Sequence, residues 1–99
     1  MKENKLYSIL DLLEEINKVD RMIDLHNDSE SKVMYSQYSN QKMKLSVFLF
    51  KELITISDHE AEVMYLIRVF LEKFYDKEIK TANFSEDSYL NKIREVVTN

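Results

Sequence analysis

The chain has 99 residues, 18 acidic and 14 basic side chains for a net charge of −4, and no glycine, proline or cysteine. That length suits one domain spanning residues 1–99, and the missing glycine removes the residue that tight hairpins, bulges and phosphate-cradling nucleotide loops need, so a β-rich fold and the Gly-rich nucleotide enzymes are excluded. Without cysteine there is no disulfide framework, no thiolate zinc site and no cysteine nucleophile.

The first element is a helix over about residues 4–26. Leu6, Ile9, Leu10, Leu12, Leu13, Ile16, Val19, Met22 and Ile23 recur at threes and fours, the spacing of a broad apolar helix face. Asn27, Asp28, Ser29 and Ser31 then offer caps, with capping-box spacing from Asn27 to Glu30. A second helix is expected over about 29–55. Its first half is polar and aromatic, with Met34, Tyr35 and Tyr38 inward; its second half carries Leu45, Val47, Phe48, Leu49, Phe50, Leu53, Ile54 and Ile56 on more than one face.

Ser57-Asp58-His59-Glu60 has the form of a capping box and predicts a third helix over about 58–79. Asp58, Glu60 and Glu62 at its start and Lys73, Lys77 and Lys80 toward its end follow the order the helix dipole favours. Its middle, Val63 to Leu71, is apolar nearly all round except for Arg68, the pattern of a helix buried on several sides. Ser85, with Phe84 before it and Tyr89 four residues later, predicts a capped and stapled fourth helix over about 85–97. So short a helix must dock or fray; its face is Tyr89, Leu90, Ile93, Val96 and Val97. The fold expected is all-α, an antiparallel bundle of three long helices and a short C-terminal one.

Charge is uneven along the chain: residues 31–51 carry Lys32, Lys42, Lys44 and Lys51 and no acid, while acids outnumber bases on both sides. In an antiparallel hairpin turning near Asn27–Ser29, Asp11 would face Lys44, Glu14 would face Lys42, Leu10 would meet Leu45, Tyr7 would meet Phe48 and Ile16 would meet Tyr38. Val63 to Leu71 is far shorter than the roughly 20 apolar residues of a bilayer span, so no membrane segment is expected. Acids among the N-terminal leucines contradict a signal peptide, and cytoplasmic residence is the expectation.

Chemistry-bearing constellations are sparse. His59-x-x-Glu62 reverses the Glu-x-x-His order of helical di-metal sites and occurs once. Asp20, Asp24 and Asp28 fall at steps of four and read as an exposed acidic edge, with His26 pointing elsewhere. No serine sits in a Gly-flanked elbow, and Glu14 and Glu15 diverge by about 100° on their helix, so no paired acid/base task is open to them. No catalytic residue, metal site or cofactor is expected. The expected function is a non-enzymatic interaction module, an adaptor, regulator or inhibitor, that self-associates as a dimer. Its candidate surface is Phe48, Phe50, Tyr65, Leu66, Arg68 and Val69, because a bundle needs one apolar stripe per helix and these helices carry more, and because interfaces enrich Arg and Tyr. For Arg68 a surface pair with Glu72 is the simpler use. A second reading, nucleic-acid association, would use Lys32, Tyr35, Lys42 and Lys44 for phosphate contact and stacking, against an acidic domain with no Arg on that helix.

Overall fold

A computed structural model of the protein describes residues 2–26 and 32–99. Five helices follow in order: α1 (Lys2–Leu25), α2 (Lys32–Ile56), α3 (Glu60–Phe74), α4 (Asp76–Lys80) and α5 (Tyr89–Thr98). The structure is 85% helical, with no strand among the described residues. No described residue has positive φ, as a chain without glycine prefers. The all-α expectation holds, with three long helices.

The α1–α2 hairpin is the central unit, and its stripes are legible in the spacing. Ile9, Ile16 and Val19 are buried on α1, and Lys42, Ser46, Leu49 and Leu53 on α2, each series stepping by threes, fours or sevens as antiparallel helix packing requires. The register differs from the one expected. Lys42 Nζ meets Asp20 Oδ1 at 2.8 Å, Lys5 Nζ donates to Thr55 Oγ1 at 2.6 Å, and the His26 ring stacks on Tyr38 with centroids 5.6 Å apart. Lys42 therefore meets α1 six residues beyond Glu14, a slide of about 9 Å at 1.5 Å per residue. Sliding gathers Ile9, Ile16, Leu49 and Leu53 into one cluster and brings an acid to the one cation in the buried stripe. Glu14 instead pairs within its helix with Lys18 at 3.8 Å. Asp20 is thus not part of an exposed edge, and His26 is half-buried; the expected Asn27–Glu30 cap and Asp28 lie outside the described residues.

Helix boundaries depart from the expected ones where side chains took other partners. Ser57 and Glu60 form no capping box: Ser57 Oγ accepts from the His59 amide at 3.1 Å, two residues on, and α3 starts after His59 with no side-chain cap. This turn separates α2 from α3. The helix expected over 58–79 breaks at Tyr75, whose φ of −133° and ψ of 17° leave the helical region. The carbonyl of Phe74, freed from the helix ladder, accepts from the Lys42 ammonium. Ser88, not Ser85, caps α5, its Oγ accepting from the Asn91 amide at 3.0 Å. With Tyr89 82% exposed, no staple to Phe84 forms.

α3 runs back along α2, with Phe70 edge-on to Phe50 at 5.4 Å. The core is one cluster of Ile9, Ile16, Leu49, Leu53, Val63, Phe70 and Phe74. α3 buries only its Val63, Phe70 and Phe74 stripe and leaves Met64, Tyr65, Leu66 and Val69 exposed, so it is not enclosed on several sides as its apolarity suggested. The molecule is a plate of 43 × 38 × 18 Å with a radius of gyration of 15.7 Å, against about 13 Å for a compact chain of this length.

Candidate interaction groove

Three helices around a shared core leave a channel wherever two of them stand apart. Here α2 packs on both α1 and α3, and α1 and α3 stand farther from each other than α1 and α2 do, though both contribute to the one core cluster. Between them lies an open groove of about 300 Å³. Its floor is Ile9, Leu49, Leu53, Phe70 and Phe74, all buried; Leu13 and Asn17 of α1 form one side, and Leu66, Val69 and Lys73 of α3 form the other. The lining is almost wholly apolar, in rows at helical spacing. Leu66 and Val69 are 49% and 38% exposed, so their side chains stand half out of the groove.

One end of the groove is set by a polar knot. Lys42, only 4% exposed, reaches Asp20 and the Phe74 carbonyl at the C-terminus of α3, and its ammonium lies 4.3 Å from the centre of the Tyr75 ring. Ser46 Oγ donates to the Lys42 carbonyl at 2.7 Å and lies 3.1 Å from the Tyr75 hydroxyl. A buried cation is tolerable only when its charge and donors are met, and a helix C-terminus is where a cation is favoured. The knot joins α1, α2 and the end of α3, fixing where α3 stops and how far it stands from α1.

A second cleft, of about 420 Å³, opens outside this knot. Asp20, Asp24, Asp76 and Glu78 line it with Lys42, Lys73 and Lys77, four acids to three bases, and two of the three Lys42 donors are already taken by Asp20 and the Phe74 carbonyl. Nearby, Asp76 binds Lys80 at 2.9 Å; this hydrogen bond, and then the charge of Asp76, raise the Lys80 pKa above its ordinary value. Among the described residues no group of three or more His, Asp or Glu side chains is placed to hold a metal ion. His59 Nδ1 lies 3.3 Å from Glu62 Oε2, both 76% exposed, an ordinary pair at a helix start.

The structure sorts the expected interaction residues into three groups. Leu66 and Val69 line the groove. Tyr65 and Arg68 stand together on the adjoining outer face, the guanidinium 5.3 Å from the Tyr65 ring and 3.7 Å from Glu72 Oε1, so the surface pair anticipated for Arg68 forms. Phe48 and Phe50 part company: two residues apart is about 200° around a helix, so Phe48 is 55% exposed on the back of α2 while Phe50 packs on Phe70 in the core. Phe50 is therefore not part of a free surface. The residues of the nucleic-acid reading are likewise dispersed. Lys42 is spent inside the core, and nine residues from Tyr35 to Lys44 place these two on opposite sides of α2, with Lys32 exposed near its start.

What sequence reasoning missed was Lys42 and Ser46 as core residues. Stepping back from Leu53 and Leu49 by alternating threes and fours lands on Ser46 and then Lys42, so the stripe itself pointed to them. The groove's α1 side, Leu13 and Asn17, also went unmarked, because only a tertiary gap makes it a surface. The chain matches no protein-family model, no curated protein and no solved structure.

Proposed function

We propose that the protein is a non-enzymatic interaction module that binds another protein through the groove between α1 and α3, and that it self-associates. The observation that carries this reading is the open groove: a three-helix arrangement whose floor is core and whose rims are half-exposed Leu66 and Val69. Among the described residues twenty-two large apolar side chains are exposed against eight buried apolar ones; those that matter here are Leu66 and Val69, which adjoin the apolar groove floor and so form a continuous apolar surface with it. Tyr65 and Arg68 on the adjoining face are residue types that anchor interfaces. The polar atoms of the groove belong to Asn17 and Lys73, a pair that offers no nucleophile with an adjacent base. Cytoplasmic residence belongs to the same reading, supported by the absence of cysteine and by a described structure in which no helix is long and apolar enough to cross a membrane.

Light scattering on a sizing column, run for the wild type and for Val69→Glu, tests the reading. The wild type should run as a dimer at micromolar concentration, and Val69→Glu as a monomer of unchanged helicity, since a carboxylate is costly in an apolar interface and harmless on a wet face. A wild type that stays monomeric, together with a Val69→Glu protein that merely unfolds, would show that this surface is core and remove the proposal's support.

A further inference from the structure

Among the described residues, α5 carries a long apolar face that no other helix covers. Tyr89, Leu90, Ile93, Val96 and Val97 share one side of it and are 82%, 65%, 57%, 77% and 76% exposed. Among the described residues it has no packed interface with another helix. What holds it is its own preceding loop: Ser88 caps it, Asn91 Nδ2 donates to the Glu86 carbonyl at 3.3 Å, and the Arg94 guanidinium stacks over Phe84 at 5.4 Å. These contacts use the polar side and turn the apolar side outward.

We infer that the groove between α1 and α3 is filled by α5 of a second copy of this chain, each copy lending its helix to the other. The inference rests on the self-association proposed above and names its geometry. Three features match. Along α1 the groove runs from Ile9 to Asn17 and along α3 from Leu66 to Phe74, about 12 Å each, and the stripe from Tyr89 to Val97 is also about 12 Å long. The α5 stripe is flanked by Lys92 and Arg94, each about 40° outside an edge on a helical projection, and the outer rims of the groove carry two acids, Glu14, one turn from Asn17, and Glu62, which shares a surface with Leu66, beside the single lining cation Lys73. Two such dockings related by a two-fold axis would cover the exposed stripes of both α5 helices and both grooves at once, in the closed symmetry that two-copy assemblies most commonly adopt. A ten-residue helix does not hold itself together in water, so docking also explains how α5 persists.

The absence of native cysteine makes the test direct. Val69→Cys and Ile93→Cys full-length chains are mixed under mild oxidation, with Leu13→Cys as a second groove position should the register favour α1. Docking holds the two thiols at a millimolar effective concentration against micromolar for random collision, so the mixed covalent dimer should exceed either homodimer by about tenfold or more. Predominant Val69→Cys homodimers would overturn the inference in favour of groove meeting groove, and a chain carrying both Val69→Cys and Ile93→Cys that crosslinks only within itself would overturn it in favour of self-closure. Ile93→Glu separates this inference from the broader one: it should abolish the dimer as Val69→Glu does, and if only Val69→Glu dissociates the protein, self-association stands and the role of α5 falls.

Discussion

The α1–α2 seam and α5 are both amphipathic, yet one has its apolar stripe under cover and the other wears it outside. In the seam, Ile16, Leu49 and Ser46 are essentially inaccessible, and even a cation is accommodated because Asp20 and the Phe74 carbonyl are there to meet it. α5 has the cleaner segregation of apolar and polar residues and buries only Asn91. Amphipathicity states that a helix needs a partner; the partner's position is a separate fact. For α1 it is α2, the next helix in the chain. For α5 the loop before it offers only a shallow hollow at Ala82, Phe84 and Leu90, and most of its apolar stripe stays exposed.

That contrast can be broken first at its strongest point. Leu49→Ala removes a side chain 1% exposed at the floor of the groove and should lower unfolding stability by about 2–5 kcal/mol, read from the urea midpoint. Lys42→Met keeps the aliphatic stem but leaves the Phe74 carbonyl and Asp20 without their cation; because the Asp20 side chain is still 32% exposed, the loss should be about 2–3 kcal/mol, short of that for a fully enclosed pair. Ser88→Ala should weaken α5 by about 1 kcal/mol through its lost cap. Its effect should be local, seen as faster amide exchange over residues 89–98 with the global midpoint unchanged, and a global loss would mean that α5 is already part of the core. Smallest of all is Asp76→Asn. The Lys80 pKa is raised by Asp76, so their pairing is present below the ordinary lysine pKa and is lost as pH rises through the higher folded value. Both groups sit at the surface, and the thermal midpoint should not move at neutral pH.

The helices were legible because burial repeats at 3.6 residues, and the absence of glycine and proline left few other structures. Their ends were less so. Ser57, Ser85 and Ser88 are all chemically fit to cap, and the choice among them depends on where the loop carbonyls lie, as when Ser85 serves through its backbone oxygen to Ser88 instead of its hydroxyl. The hairpin register failed for a related reason. Surface charge pairing, Glu14 to Lys42 and Asp11 to Lys44, is worth less than about 1 kcal/mol per pair, whereas aligning the apolar stripes involves several kcal/mol. Treating Lys42 as a surface cation therefore misplaced both the seam and the end of α3. Leu66 and Val69 were recognisable as surplus apolar residues on α3; that they face Leu13 across a gap depends on α1 and α3 standing apart, which no local pattern encodes.

The most direct measurement is amide hydrogen exchange over residues 89–98 as a function of protein concentration, with α1 and α2 as the internal reference. If α5 docks in the groove of a second copy, its protection should climb from low to high micromolar concentration as the dimer forms, by up to the fold-change in bound fraction, while the seam amides exchange at a constant rate. Protection of α5 that is the same at every concentration, in a protein whose mass rises to that of a dimer, would contradict the account and leave α5 outside the interface.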